Sequence, residues 1–172
     1  MKKYTFILSL KELTDNYFDI ERIHSYCKDC PNYGNLWSCP PFPFDVTVAF
    51  KGRTEMKVNA WVLDLKDLTD DQAAAKDLDA IYEMNYLVLE EEQNTPGSFA
   101  FYADSCVICG VDSCTRPLGK PCRHIDQMRY TLEAFGIDIA KMINEKLNIE
   151  LKWSEGNRKY PDQIVRVNAI IK

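Results

Sequence analysis

Seven cysteines in two bunches constrain this 172-residue chain more than any other feature of its sequence. Three lie upstream, in Cys27-Lys-Asp-Cys30-Pro-Asn-Tyr-Gly-Asn-Leu-Trp-Ser-Cys39-Pro-Pro. Four lie downstream, at Cys106, Cys109, Cys114 and Cys122. No cysteine stands elsewhere, so a fold for this chain has to present two thiol-rich loops.

A disulfide framework fits poorly. An odd count leaves one thiol unpaired. The start, Met1 to Leu10, is apolar only as far as Lys11 and offers no small-residue cleavage site, so it reads as part of the fold and not as a leader. The expected location is the cytoplasm, where thiols stay reduced. No run is long enough to cross a membrane. The formal charge of −5 argues against non-specific nucleic-acid binding, which needs clustered cations.

Reduced cysteines grouped in this way point to metal. Soft thiolates select zinc, copper(I) or iron–sulfur clusters. Zinc knuckles present two close pairs in tight turns. Here only Cys106-x2-Cys109 is such a pair, and the spacing then widens to four and to seven residues. That graded spacing suits a larger object, and Cys30-Pro31 and Cys39-Pro40 resemble the Cys-Pro step of bacterial ferredoxin motifs. The expected cofactors are therefore one or two iron–sulfur clusters of the [4Fe–4S] type, with zinc as the alternative. Cys106, Cys109, Cys114 and Cys122 make a full ligand set, whereas Cys27, Cys30 and Cys39 are one ligand short. His24, Asp29, another residue, water or a substrate is left to fill that place. An iron with an open position is a Lewis acid, by the logic of catalytic zinc. His24 and His124 also read as solvated or capping imidazoles.

Arg116, Lys120, Arg123 and Arg129 lie in or just after the downstream set. Cations there would stabilise an anionic cluster and raise its potential, or receive an anionic partner. Ordinary surface charge explains any one of them equally well.

A chain of this length makes one domain, 1–172, and buries a core without needing metal merely to fold. Its apolar content of 46% and charged content of 27% suit a soluble protein. Lys3 to Leu10, Glu55 to Leu65, Ser98 to Ala103 and Gln163 to Ile171 read as strands. Asp15 is placed to cap a helix running through Tyr17, Ile20 and Ile23 to Cys27. Five residues between Cys30 and Phe44 are proline or glycine, so this stretch is a stiff irregular loop. Thr69 starts a long helix with Asp70, Asp71 and Gln72 in its first turn. It closes near Glu90-Glu91-Glu92, which reads as a solvated face. Ile125, Met128, Leu132 and Phe135 recur at helical spacing, as do Ile139, Met142, Ile143 and Leu147. On the first of these helices Arg129 and Glu133 would pair at i,i+4. Ile149, Leu151 and Trp153 alternate, and a polar connection with Gly156-Asn157 follows. Strands and helices interleave, giving an α+β or α/β domain with a central mixed sheet, packed helices and two cysteine-rich loops.

Two longer signatures then emerge. Cys27-x2-Cys30-x2-Tyr33-Gly34-x2-Trp37-Ser38-Cys39-Pro40-Pro41 is the first. Cys106-x2-Cys109, Cys114 and Cys122, followed by Arg129-x3-Glu133-Ala134-x-Gly136-Ile137-Asp138, is the second. Together they resemble a bacterial and archaeal family of predicted metal-binding proteins, a domain of unknown function. In that pattern proline and serine often follow the arginine, where this chain has Tyr130-Thr131. The resemblance implies metal binding, most naturally as iron–sulfur, and supplies no reaction.

Three functions suit these residues. The first is an iron–sulfur redox protein passing electrons to or from a partner protein. The second is an enzyme whose three-cysteine cluster binds a small anionic substrate at its open iron. The third is a zinc-stabilised scaffold or interaction module.

Overall fold

The sheet is built from the strands with the clearest alternation. In the computed structural model, which describes residues 1–110, 113–154, 156 and 158–172, β1 (Lys2–Ser9), β2 (Glu55–Asp64), β3 (Phe99–Tyr102), β4 (Tyr130–Thr131) and β5 (Gln163–Ile171) form one mixed sheet. Its order is β1-β2-β5-β3-β4. The first three contacts along that order are antiparallel, and β3 and β4 run parallel. With α1 (Leu10–Asn16), α2 (Ile20–Cys27), α3 (Asp70–Gln93) and α4 (Ile139–Leu147), the architecture is α+β. No helix among the described residues is long and apolar enough to cross a membrane.

Period-two alternation decides which residues line each face. On β2, Met56, Val58 and Ala60 join Leu8, Phe101, Val167 and Ala169 in the larger core, beside α1 and α4. Trp61 and Leu63, on the other face, meet Ala73, Ala80 and Met84 of α3. Farther along α3, Val88 meets Ala100, Tyr102 and Ile170. Both faces of the central strands are thus covered. The cost of polar groups in so dry a layer is met by pairing. Asn59 Nδ2 donates to Asn168 Oδ1 at 2.9 Å, and Asn168 Nδ2 donates to the Met84 carbonyl at 2.6 Å.

The long helix starts where its capping chemistry says it should. Thr69 Oγ1 accepts the Gln72 N–H at 3.3 Å, and Gln72 Oε1 accepts the Thr69 N–H at 3.0 Å, a reciprocal capping box. The helix expected from Asp15 to Cys27 is instead two. Ser9 caps α1 and Asp19 caps α2, whose last residue is Cys27.

The apolar stripe at 125–135 is not a helix. Turns lead into β4, and a 3₁₀ turn, Glu133–Phe135, follows. Tyr130 is taken by the sheet edge, and tertiary pairing overrides the spacing. The Arg129–Glu133 helix pair therefore does not form. Arg129 donates from Nε to Glu92 at 2.8 Å, and its Nη2 pairs with the same carboxylate. Glu92 also accepts the Ala100 N–H at 2.7 Å, so the acidic run at the end of α3 is in part structural. No strand forms at Ile149 to Trp153. In the polar connection after it, Asn157 lies outside the described residues.

Tyr102 ends β3 and joins it to the segment after Cys122, its hydroxyl donating to the Gln127 carbonyl at 2.5 Å. Burial pushes this phenol up to about 12 from an ordinary 10.0. The folded state thus keeps its proton where the unfolded chain has lost it, so stability falls as pH rises from about 10 to about 12. Tyr102→Phe should flatten the decline of the urea midpoint across that window. An identical slope in both proteins would show that Tyr102 contributes nothing to it.

Candidate metal centres

The strand directions bring the chemistry to one end of the sheet. Because β3 and β4 are parallel, both leave the sheet at the same end, into Ala103–Cys106 and into Leu132–Glu133. β5 enters there in the opposite sense, and its register with β3 carries Arg166 to Asp104. Arg166 Nη1 meets Asp104 Oδ2 at 2.7 Å. The same guanidinium forks onto Asp77 of α3, from Nε at 2.7 Å and from Nη2 at 2.6 Å. Asn85 of α3 holds both backbone groups of Ala103, accepting its N–H at 2.8 Å and donating to its carbonyl at 3.4 Å. Asp104 itself stands at φ 67°, a left-handed conformation in which aspartate is among the better-tolerated residues. These contacts aim the chain out of the sheet toward the downstream cysteines.

The upstream cysteines reach the same place from the other side. Cys27 ends α2. The loop after it is closed by the Gly34 N–H to the Pro40 carbonyl at 2.8 Å. It is anchored by aromatic rings: Phe42 packs edge-on against Tyr130 at 5.1 Å and against Phe135 at 5.9 Å. Cys27, Cys30 and Cys39 line one cavity of about 200 Å³, with Tyr33, Asp104, Ser105, Thr131, Glu133 and Arg166 in its walls. Cys106, Cys109, Cys114 and Cys122 line a separate, tighter recess of about 20 Å³, with Trp37, Ser38 and His124. All seven thiols are free. Among the described residues, no three His, Cys, Asp or Glu side chains stand close enough together to hold a single metal ion in this arrangement.

The two recesses meet across a pair of serines. Ser38 Oγ accepts the Cys106 N–H at 3.2 Å. Cys39 Sγ lies 3.8 Å from Ser38 Oγ and 3.9 Å from Ser105 Oγ. Asn32 donates to Ser105 Oγ at 2.9 Å. Each serine therefore precedes a cysteine of its own set and touches one of the other set.

Burial dominates the thiol chemistry. It pushes Cys27 up to about 11, with the charge of Glu133 next and the Cys39 and Cys30 thiols adding to it. It pushes Cys106 up to about 11, helped by Cys122, Cys109 and Cys114 and opposed by the Ile108 N–H. Burial also raises Cys39, against the hydroxyls of Ser38 and Ser105. Glu133 carries accessible surface where it lines this open cavity, and desolvation, with the nearby charge of Asp104, raises its carboxyl pKa. As metal binding removes thiol protons, such thiols take up metal more readily as pH rises.

The three arginines have distinct surroundings. Arg116 donates from Nη1 to the Leu36 carbonyl at 2.6 Å and to the Cys39 carbonyl, and from Nη2 to the Pro41 carbonyl. Its guanidinium also lies 5.4 Å from the centre of the Trp37 ring. Trp37 Nε1 in turn donates to Thr115 Oγ1 at 3.3 Å and to the Lys120 carbonyl at 3.2 Å. The two cysteine loops are thus interlocked through Arg116 and Trp37. Arg123 donates to the Ser113 carbonyl, within its own loop. Arg129 is committed to Glu92 and to the Asp126 and Met128 carbonyls.

His24 is not in the cavity wall. Its Nε2 donates to the Ala134 carbonyl at 2.8 Å, which ties α2 to the turn that carries Glu133. His124 does line the four-cysteine recess. Asp29 is absent from the three-cysteine cavity, whereas Glu133, Asp104 and Arg166 are in its wall. Sequence reasoning missed these last two and set Glu133 aside as a helix partner. Strand pairing brings them there, and spacing alone carries no trace of it.

The chain belongs to the family of predicted metal-binding proteins DUF2284, whose model matches residues 14–170. Comparison with curated proteins and with solved structures returned no match. The donor set suits a thiophilic metal, since three thiols line one recess and four the other.

Proposed function

We propose that this metal-binding protein is an iron–sulfur protein with two separate centres, and that it carries electrons to or from a redox partner protein. The observation that supports this reading most is the partition of all seven cysteines into two adjacent recesses, four in one and three in the other. Bound clusters there supply reversible one-electron transfer. Cys106, Cys109, Cys114 and Cys122 hold one centre, and Cys27, Cys30 and Cys39 hold the other. Ser38 and Ser105 keep the two sets in register across their shared wall. Arg116 fixes the loops while its charge stands beside them, and Lys120 and Arg123 add positive charge around the downstream set, whereas the charge of Arg129 is offset by Glu92. Seven free thiols suit a reducing compartment, and we place the protein in the cytoplasm.

A single zinc ion in the downstream recess is the second reading, favoured by its small volume. Zinc would need four sulfurs drawn to about 2.3 Å from one point.

Cys122→Ala and Cys39→Ala, prepared anaerobically, test the partition. Each should lose the iron and sulfide of one centre, about half of the total in the order-of-magnitude arithmetic of two similar clusters, and keep the spectrum of the other. If either variant keeps its full metal content, or if both lose everything together, the division into two centres is wrong.

A further inference from the structure

The three-cysteine set is one ligand short, and the chain has a residue in place to complete it. We infer that the Glu133 carboxylate is the fourth protein ligand of the centre held by Cys27, Cys30 and Cys39. This inference rests on the two-centre reading above.

The geometry carries it in three steps. First, Glu133 lines the same cavity as the three thiols.

Second, the segment bearing Glu133 is fastened to the helix bearing Cys27. His24 holds the Ala134 carbonyl. The Asp19 N–H donates to the Gly136 carbonyl at 2.8 Å. Arg22 Nη2 donates to Asp138 Oδ2 at 2.5 Å. Gly136 approaches so closely that a Cβ there would stand 2.7 Å from Ile20 Cα. A carboxylate and a thiolate presented from two elements locked in this way keep a fixed relation, as a ligand pair requires.

Third, the other ligand types nearby are committed or absent. Asp104 is held by Arg166 and accepts the Ser105 N–H. His24 is bound to a backbone carbonyl and Asp29 is not in the wall. Glu133 forms no ion pair among the described residues; its carboxyl is held only by neutral hydrogen bonds, from Thr131, which also accepts the Ala134 N–H, and from its own backbone. A second-row oxygen donor among three sulfurs is compatible with iron, which takes both.

With Glu133 in that place the centre offers no open position. This favours electron transfer over Lewis-acid chemistry on a substrate.

The test uses the full chain, reconstituted anaerobically with iron and sulfide, read by iron and sulfide content and by Mössbauer and EPR spectra. Metal-free circular dichroism of each variant confirms that it folds. Glu133→Ala and Glu133→Gln should lose or alter the signature of one centre only, the same one that Cys39→Ala removes. Glu133→Cys should restore full iron content with a spectrum characteristic of four thiolates. If wild type shows two centres and both Glu133→Ala and Glu133→Gln leave the two signatures unchanged, the ligand assignment is overturned and the two-centre reading stands. If wild type itself lacks the centre that depends on Cys39, both fall.

Discussion

Gly136→Ala should destabilise the protein by about 3 kcal/mol, the sum of a strained left-handed backbone and an overpacked contact. Gly136 has φ +80°, which residues with a Cβ seldom adopt. The added Cβ would also meet Ile20 Cα at 2.7 Å and Ile20 Cβ at 2.9 Å. Backbone cannot rotate aside as a side chain can, so α2 would have to move. The movement would act on Cys27 at the far end of that helix. Gly52→Ala is the control, because Gly52 has φ +75° with nothing within 4 Å of a new Cβ. It should cost about 1 kcal/mol, the backbone term alone. Urea denaturation of the metal-free proteins checks both. Equal losses would mean that the close approach of the Glu133 turn to α2 carries no energetic weight.

Arg116→Ala should free the two cysteine loops from one another. Three carbonyls of the upstream loop lose a charged donor, and Trp37 loses the guanidinium beside it. Hydrogen bonds from charged groups contribute about 1.5–3 kcal/mol each when buried. Arg116 is only half-buried, so a total of about 3 kcal/mol of local stability is expected from the three. Arg116→Lys should not rescue it, because an ammonium cannot serve three carbonyls in a planar fork. Hydrogen exchange reads the effect directly at the Gly34 and Cys39 amides, which bond the Pro40 and Leu36 carbonyls. Protection there should fall while that of β5 is kept. Unchanged protection at Gly34 and Cys39, or full rescue by lysine, would show that the loops are held by something else.

The strands were legible because their alternation is strong. Gln163 to Ile171 is a strand over its whole expected length, and the Thr69 capping box marks the start of α3. What misled was apolar spacing without a helix. Ile125, Met128, Leu132 and Phe135 fit a helical stripe, yet Ile125 is exposed and Tyr130-Thr131 pair with β3. A two-residue strand leaves almost no periodic signal. The cysteines announced metal binding, and three of them line one recess while four line another. Their neighbours were not legible, because Asp104 and Glu133 follow the ends of β3 and β4 while Arg166 lies within β5. Only the parallel pairing of β3 with β4, and the register of β5, bring them together. Arg116 looked like a cofactor cation by proximity in sequence, while its strongest contacts are with carbonyls across the fold.

The proposed function requires two iron–sulfur centres, one per cysteine set. Anaerobic purification followed by iron, zinc and acid-labile sulfide analysis tests this most directly, with Mössbauer spectra of the same sample. Iron and sulfide should be present in nearly equal amounts, on the order of eight of each per chain if both centres are cubanes, with two resolved cluster signals. Zinc without sulfide, or iron and sulfide sufficient for one cluster only, would contradict that function.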